Sequence, residues 1–473
     1  MDIKTLDIKD QINTYFRTYA LYVIESRGIP NFYDGITPVQ RQILLNAPDK
    51  FEKTIGLVGS VMKTGLYHHG DAGLISAINK LAKPFQNSES LLKGDGFFGS
   101  PVNPKPSSAR YTSVKIMPHI KKLVSENHAL NIKNPEGGYD WLHVEFPIGL
   151  MTHIVGIAVG YSSNILPRKM SDMQEYLDGK SKQLKPYFTN FAGKIKTHNG
   201  IKKGWLFEGV FEADDTAMTM KIGDLPPLSR YDSFVKKMYL KLEEFGDQCK
   251  IENNSQGNVN ILIKWRDRAT WENVKEGISK LTKLIVVEGL VFVKDGSLVE
   301  YEEISDYLDE FRIHRERVIY KKMVYNLSVN ESELEFLKAK VLFMKFMMEK
   351  KRKHDEVKAW MSPYSPKIRT RLDGIKLTSL TAEHLKQTED DIKNLELEIK
   401  KMIVENDKQL KKCLSMEKAF KGKGVVSLAK NTDLLEDAGI NLHFDGVELY
   451  TTNEEEPSED SPEAEEPSIE DLV

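Results

Sequence analysis

The chain has 473 residues, 40% of them hydrophobic and 29% charged, enough to bury more than one core, so two or more folded units are expected. The acidic start MDIKTLDIKDQ argues against a secretory signal, and Cys249 and Cys413 fit no metal-ligand or redox spacing, which points to a reducing compartment. The formal charge of −3 hides an asymmetry: residues 454–473 hold ten acidic side chains and no Lys or Arg, so residues 1–453 carry +7, a balance compatible with a nucleic-acid partner and an acidic disordered tail.

In chain order, Ile12, Phe16, Tyr19 and Val23 recur at helical spacing up to Arg27-Gly28-Ile29-Pro30, which defines an N-terminal helical arm over 1–27. Short helices and Gly-rich turns follow. One of these helices is expected from Ala72 to Lys83, with Asp71 as its N-cap and Pro84 beyond its end. The apolar stretch Phe146 to Tyr161 is broken by Pro147, Gly149, His153 and Gly156 and is shorter than the roughly 20 residues of a membrane span, so buried strand and turn are expected there. Strands at 259–263 and 284–293, interspersed with helices such as one at 233–245 ahead of them, indicate a mixed α/β unit up to about residue 304. Beyond it, Leu327, Leu334, Leu337, Val341, Met344 and Met348 fall into heptad spacing, as do Leu385, Ile392, Leu395, Ile399 and Met402. Pro363 and Pro366 forbid one continuous helix between the two runs, which implies an antiparallel coiled coil with a small globular tip; a helical bundle is the alternative.

Three local motifs carry possible chemistry. Gly94-Asp95-Gly96-Phe97-Phe98-Gly99 satisfies G-x-G-x-x-G, but Ser100-Pro101-Val102-Asn103-Pro104 cannot start the helix a dinucleotide site needs. Adjacent His68 and His69 do not present one face to a metal, so no metal site is expected in this chain; with Lys63 they lie where a helix-turn-helix would meet phosphates. Arg110-Tyr111 places a cation beside a phenol, which the phenol needs in order to act as a nucleophile on a phosphate.

Taken together, Tyr19-Ala20, Arg27-Gly28-Ile29-Pro30, Asp34-Gly35, Pro38-Val39-Gln40-Arg41, Tyr67-His68-His69-Gly70-Asp71, Pro84-Phe85, Gly94-Asp95-Gly96, Phe98-Gly99-Ser100 and Ala109-Arg110-Tyr111-Thr112 resemble the breakage-reunion subunits of type IIA DNA topoisomerases. These are the gyrase A and topoisomerase IV A family, with the medium subunits of T4-type phage enzymes more similar still. Gly156-Ile157-Ala158-Val159-Gly160 looks like the family's wedge strand, and Phe311-Arg312-Ile313-His314-Arg315 like the start of its coiled coil; the resemblance covers roughly residues 15–420.

The resemblance implies an α+β multidomain fold: a winged-helix DNA-gate domain over 28–140, a tower α/β domain over 141–304, and a coiled coil with a dimerisation tip over 305–430. A C-terminal segment over 431–453 and the acidic tail would follow. It also implies that Tyr111 forms a 5′ phosphotyrosine, that Arg110, Arg27 and one of His68 and His69 contact the same phosphate, with His69 keeping the family's His-Gly-Asp spacing, and that Arg41, Lys63 and Ile157 bind DNA, Ile157 as a wedge. The family's Mg²⁺ belongs to a Toprim module and its ATP to an ATPase, neither of which this sequence contains. The expected assembly is therefore a homodimer joined through the coiled-coil tip and completed by ATPase/Toprim subunits on double-stranded DNA, in an A2B2-type complex away from membranes. Relaxation and decatenation are expected rather than supercoiling. The cytoplasm of a phage-infected bacterium is the expected location. Thr37 and Gln42 depart from the family's cations, and Ala72 and Ser76 stand where quinolone contacts usually lie. The competing readings are a gate fold that binds DNA without cutting it and a coiled-coil scaffold with no DNA role.

Overall fold

The computed structural model describes residues 8, 11–24, 28–158, 160–180, 183–246, 248–376, 380–420 and 425–427. The chain divides into residues 1–428 and 429–473, and every described residue lies in the first unit. The expectations for Arg27, for 431–453 and for the acidic tail fall outside the described residues.

A π-helical turn, Gln11–Phe16, leads into α1 (Arg17–Val23). α2 (Pro38–Asn46) starts sharply. Thr37 accepts from the Gln40 amide while the Gln40 side chain accepts from the Thr37 amide, and Pro38 supplies a preset first turn. This gives Thr37 a capping role at one of the positions where the sequence departs from the family's cations. α3 (Thr54–Met62) buries Leu57, Val58 and Val61, and α4 (Asp71–Ala82) buries Leu74, Ile78 and Leu81. The N-cap of α4 is Gly70 rather than the expected Asp71; the Asp71 carboxylate accepts from the neighbouring Ala72 amide inside the first turn.

Against these helices lies an antiparallel sheet in the order β1 (Glu52–Lys53), β3 (Ser113–Ile116), β2 (Leu92–Asp95), followed by α5 (Pro118–Ser125). The long β2–β3 connection carries the Arg110-Tyr111 pair. The same core holds Phe32, Ile43, Leu57, Ile78 and Val114 together with Leu142, Phe146, Ile154, Phe292 and Phe311, so side chains from both sides of residue 140 pack as one body.

The β4–β5 hairpin (Ile154–Ile157 and Ser162–Ile165) confirms the strand expected after Phe146, and α6 (Met170–Leu177) follows it. Among the described residues no helix is long and apolar enough to cross a membrane. Two further sheets come next. In one, β6 (Lys194–Thr197), β7 (Gly204–Glu208) and β12 (Lys283–Val287) run in the order β12-β7-β6. In the other, β8 (Val210–Asp214), β9 (Thr219–Asp224), β10 (Cys249–Asn253) and β11 (Ile261–Trp265) run in the order β10-β11-β9-β8. Alternate residues Ile261, Ile263 and Trp265 face inward to meet α7 (Tyr231–Glu243) and α8 (Trp271–Leu281), which contribute Phe234, Met238, Val274 and Ile278.

The apolar run 284–293 is not one strand. It divides at Glu288-Gly289 into β12 and β13 (Leu290–Lys294), which pairs instead with β14 (Ser297–Tyr301), itself paired with β15 (Val425–Ser427). Glu288 causes the break: its buried carboxylate is held by Arg168 at 2.6 and 2.9 Å, by the Leu166 amide at 2.9 Å and by the Trp205 indole at 2.7 Å.

α9 (Ile304–Glu349) is one long helix, followed by α10 (His354–Met361), α11 (Pro366–Asp373) and α12 (Ala382–Ala419). α9 and α12 run antiparallel, joined by Arg317–Glu417, Lys338–Glu396 and Lys345–Glu389 ion pairs. Each step of 21 or 7 residues along α9 is matched by the same step backwards along α12, so the register is kept in whole heptads. Within the seam, Asn330 donates to the Met402 sulfur at 3.2 Å, and Asn406 is buried without a hydrogen-bond partner. At the far end Phe336 and Phe343 pack with Met361, Ile368 and Leu372, and Arg371 grips Glu333 at 2.7 and 2.9 Å.

Candidate DNA-gate site

The motif Gly94 to Gly99 ends β2 and opens an extended loop, not a phosphate-binding turn before a helix. Gly96 and Gly99 both adopt φ of +98°, and a Cβ on Gly99 would lie 2.7 Å from the Pro104 carbonyl oxygen. The loop folds back on itself through Ser107 N–H to Phe97 O at 2.9 Å, and Lys83 Nζ donates to Pro104 O at 2.9 Å.

On its return the loop is clamped to the N-terminus of α3. The Ile55 amide donates to Ala109 O at 3.3 Å, the Thr54 amide to Thr112 O at 3.0 Å, and the Tyr111 amide to Ser108 O at 2.8 Å. Clamped on both sides, Tyr111 nevertheless points its ring outward. At 71% exposure it exceeds the other exposed tyrosines, Tyr15, Tyr19, Tyr187, Tyr239 and Tyr325. Other phenols in the fold serve it differently: burial and the Asp309 hydrogen bond push Tyr176 up to about 12, and burial with Glu310 beside it drives Tyr301 far above the ordinary range. The Arg110 guanidinium lies 6.0 Å from the Tyr111 ring centre, itself exposed.

Lys63 and the histidines sit beyond the other end of α3, a helix about 14 Å long. Lys63 is exposed at the C-cap. Gln42, the second departure from the family's cations, donates to Leu66 O at 2.8 Å and so fixes the turn that follows. Within that turn Tyr67 donates to Gly70 O at 3.1 Å and its ring meets the His69 ring edge-on at 5.6 Å, leaving His69 half-buried and His68 exposed at the start of α4.

Ile157 closes β4 at 75% exposure. Its setting requires glycine on both sides: a Cβ on Gly156 would fall 1.8 Å from Gly28 O, and one on Gly28 would fall 2.7 Å from Ile157 O. The Gly28 backbone therefore lies directly beneath β4.

Arg41 needs correction as a DNA contact. It is 3% exposed, and its guanidinium grips the fully buried Asp34 at 2.7 and 3.1 Å while also donating to Ile36 O and Tyr139 O. An arginine so occupied holds the core together and has no donor facing solvent.

Sequence reasoning missed Asn87 and His153, which tie α4 to β4; no motif or spacing marks either. Among the described residues no group of three His, Cys, Asp or Glu side chains comes together to hold a metal. The surroundings of Tyr111 described above, supplied by Arg110, Ser108 and Thr112, contain no carboxylate cluster to fit Mg²⁺.

A family model for the A subunits of DNA gyrase and topoisomerase IV matches residues 27–419. The chain belongs to the DNA gyrase/topoisomerase IV A-subunit family. Among relatives of this gyrase-family chain, the DNA topoisomerase medium subunit of Enterobacteria phage T4 is 26% identical over 372 residues, covering 73% of this chain and 82% of the T4 protein. The DNA gyrase A protein of Kosmotoga olearia is 32% identical over 366 residues, covering 69% of this chain and 45% of that protein. The chain thus spans most of the phage relative but less than half of the bacterial one. In fold it is similar to the DNA-binding, cleavage and re-ligation domain of Plasmodium falciparum topoisomerase II, with a TM-score of 0.72 at 22% identity over 92% of this chain and 67% of that one. The family match covers every described candidate residue, from Arg41 to Ile157.

Proposed function

We propose that this chain is the DNA-cleaving and religating subunit of an ATP-dependent type II DNA topoisomerase, with Tyr111 as the nucleophile. The observation that carries the reading is the outward Tyr111 ring on a backbone clamped at both neighbours, with Arg110 beside it. The Tyr111 hydroxyl gives up its proton to solvent, which returns one to the departing 3′ oxygen, and the Tyr111 oxygen attacks a backbone phosphorus. The bond from phosphorus to the 3′ oxygen breaks, leaving a 3′ hydroxyl and a 5′ phosphotyrosine. The ester exchanged for ester keeps the bond energy, so attack by the 3′ hydroxyl restores the strand. Arg110 stabilises charge on the phosphoryl oxygens, with Arg27 and His69 or His68 reaching the same phosphate, and the exposed Lys63 neutralises the backbone nearby. Ile157 enters a base step and bends the gate duplex.

In this reading residues 28–140 form a winged-helix gate, 141–304 the tower, and 305–430 a coiled coil whose α10–α11 tip joins two copies. ATPase and Toprim subunits complete an A2B2-type assembly that passes one duplex through another, relaxing and decatenating DNA in the cytoplasm of an infected host. Mg²⁺ supplies charge neutralisation at the scissile phosphate when bound by the partner's carboxylates, and ATP is hydrolysed by the partner.

The test is to assemble the chain with its ATPase/Toprim partner, Mg²⁺ and labelled plasmid, trap with denaturant, and map any DNA-linked peptide. An adduct on Tyr111 is the expected result. A complex that binds DNA but never yields an adduct points instead to a non-cleaving gate.

A further inference from the structure

α4 and β4 come from distant parts of the chain, and one side chain joins them. Asn87 is 1% exposed and donates through Nδ2 to Lys80 O at 2.8 Å and Lys83 O at 2.7 Å, two carbonyls that the end of α4 leaves without helical partners. With both protons of its amide committed, its Oδ1 accepts from the His153 amide at 3.2 Å, so the orientation of the group is determined by its partners. The backbone follows the same path: Asn87 bridges Thr152, and the Ser88 amide and hydroxyl both donate to Met151 O, at 3.0 and 2.9 Å.

The line continues from His153 into the hairpin. His153 Nε2 lies 2.9 Å from Asn164 Oδ1, and Asn164 Nδ2 donates to Val287 O at 2.8 Å. The Asn164 oxygen is therefore the acceptor and His153 carries its proton on Nε2. Asn164 pairs with Val155, two residues before Ile157. From the end of α4 to β5, the strand paired with β4, each link is a hydrogen bond to a defined partner.

We infer that Asn87 is a positioning residue for DNA bending, one that fixes the offset between α4 and the Ile157 wedge. The inference rests on the proposed role of Ile157. A bent duplex pushes back elastically on whatever wedges it. That load enters the protein at β4, while in the proposed reading the duplex is held by His68 and His69 where α4 begins, so it is carried by the joint between α4 and β4. Asn87 is the side chain bonded to both.

The experiment uses the assembled complex carrying Tyr111→Phe, bound to a duplex with donor and acceptor dyes at its ends. Asn87→Asp keeps the oxygen for His153 but sets a carboxylate oxygen against two carbonyls, and Asn87→Ala removes all three bonds without repulsion. In whichever of these variants keeps the parent's far-UV spectrum, DNA affinity is expected to stay within about threefold of the parent while the bent fraction of bound duplex falls by about half or more. With Tyr111 restored, cleavage is expected to fall by roughly tenfold to a hundredfold, the order that ångström-scale misplacement costs. Bound duplex bent as fully as in the parent would overturn the inference, even if stability and affinity drop, because that pattern belongs to a merely structural cap. If the parent complex itself leaves the duplex straight, or Ile157→Ala bends it fully, the wedge reading beneath the inference is what fails.

Discussion

The hydroxyls of Thr54 and Thr112 lie 2.8 Å apart, both fully buried, so the first residue of α3 grips the residue that follows Tyr111. The loop bearing Tyr111 is in this way referenced to the helix that leads to His68 and His69. Thr54→Val or Thr112→Val alone leaves one buried hydroxyl without a partner, at a cost of about 1–3 kcal/mol, while the double substitution removes both and costs less than the two added together. Thermal denaturation of the four proteins in the cycle checks this, and cleavage assays should show a larger loss than DNA-binding assays do.

Tyr111→Phe is expected to abolish the covalent adduct with DNA affinity unchanged. Arg110→Ala should lower the cleavage rate by about 10²–10³, the loss seen when a donor to a developing oxyanion is removed. Single-turnover cleavage on a labelled duplex, with affinity measured in parallel, separates the two effects.

Arg41 and Lys63 should part company in a salt titration. Arg41→Ala strands the buried Asp34 carboxylate and is expected to destabilise the fold by about 3–5 kcal/mol. Lys63→Ala leaves stability unchanged and reduces the slope of log affinity against log salt by about 1. A changed salt slope in folded Arg41→Lys, with Lys63→Ala showing none, would reverse both assignments.

Acid should weaken the fold through two histidines. Burial, with Lys321 close by, lowers His143 to about 4, and burial with His143 and Lys321 nearby lowers His314 to about 3. Both pack against the Trp141 ring, at 4.3 and 5.6 Å. In the unfolded chain these groups take up protons near pH 6.5, and in the folded chain they do so only far below it. Their contribution is therefore complete above about pH 6.5 and is lost as pH falls towards 4 and then 3, by up to about 1.4 kcal/mol per pH unit for each proton. Denaturant titrations at pH 7, 6 and 5 should show stability falling, and His314→Phe should flatten the slope.

Asn406 sits in the helix seam with neither its oxygen nor its nitrogen partnered. Asn406→Leu should stabilise the arm by about 1 kcal/mol or more and so raise its melting temperature, provided the antiparallel register holds. A lowered melting temperature would show that this polar position stabilises the pairing.

Much of this architecture was legible because periodicity follows burial. Leu385, Ile392, Leu395, Ile399 and Met402 lie on the face of α12 that meets α9, as their seven-residue spacing requires. Met348 keeps the same spacing yet is 42% exposed, because α9 ends one residue later. Phe336 and Phe343 are buried off the heptad positions, against α10 and α11, whose packing no repeat in α9 announces. Arg41 was misread for a different reason. An arginine within a motif string looks the same in sequence whether it meets a phosphate or an aspartate seven residues earlier, and burial alone decides. Asn87 had no signal, since its three partners lie in two segments brought together only by folding.

The whole-heptad register of α9 and α12 limits how the arm can move. Sliding one helix along the other breaks the Arg317–Glu417, Lys338–Glu396 and Lys345–Glu389 pairs, and even a full-repeat jump of about 10 Å sets a glutamate against just one of the three basic side chains while unseating the seam residues. Telescoping is thereby closed off. A helix pair braced over about 42 Å, from Arg317 to Lys345 along α9, keeps its length constant and leaves curvature as the variable.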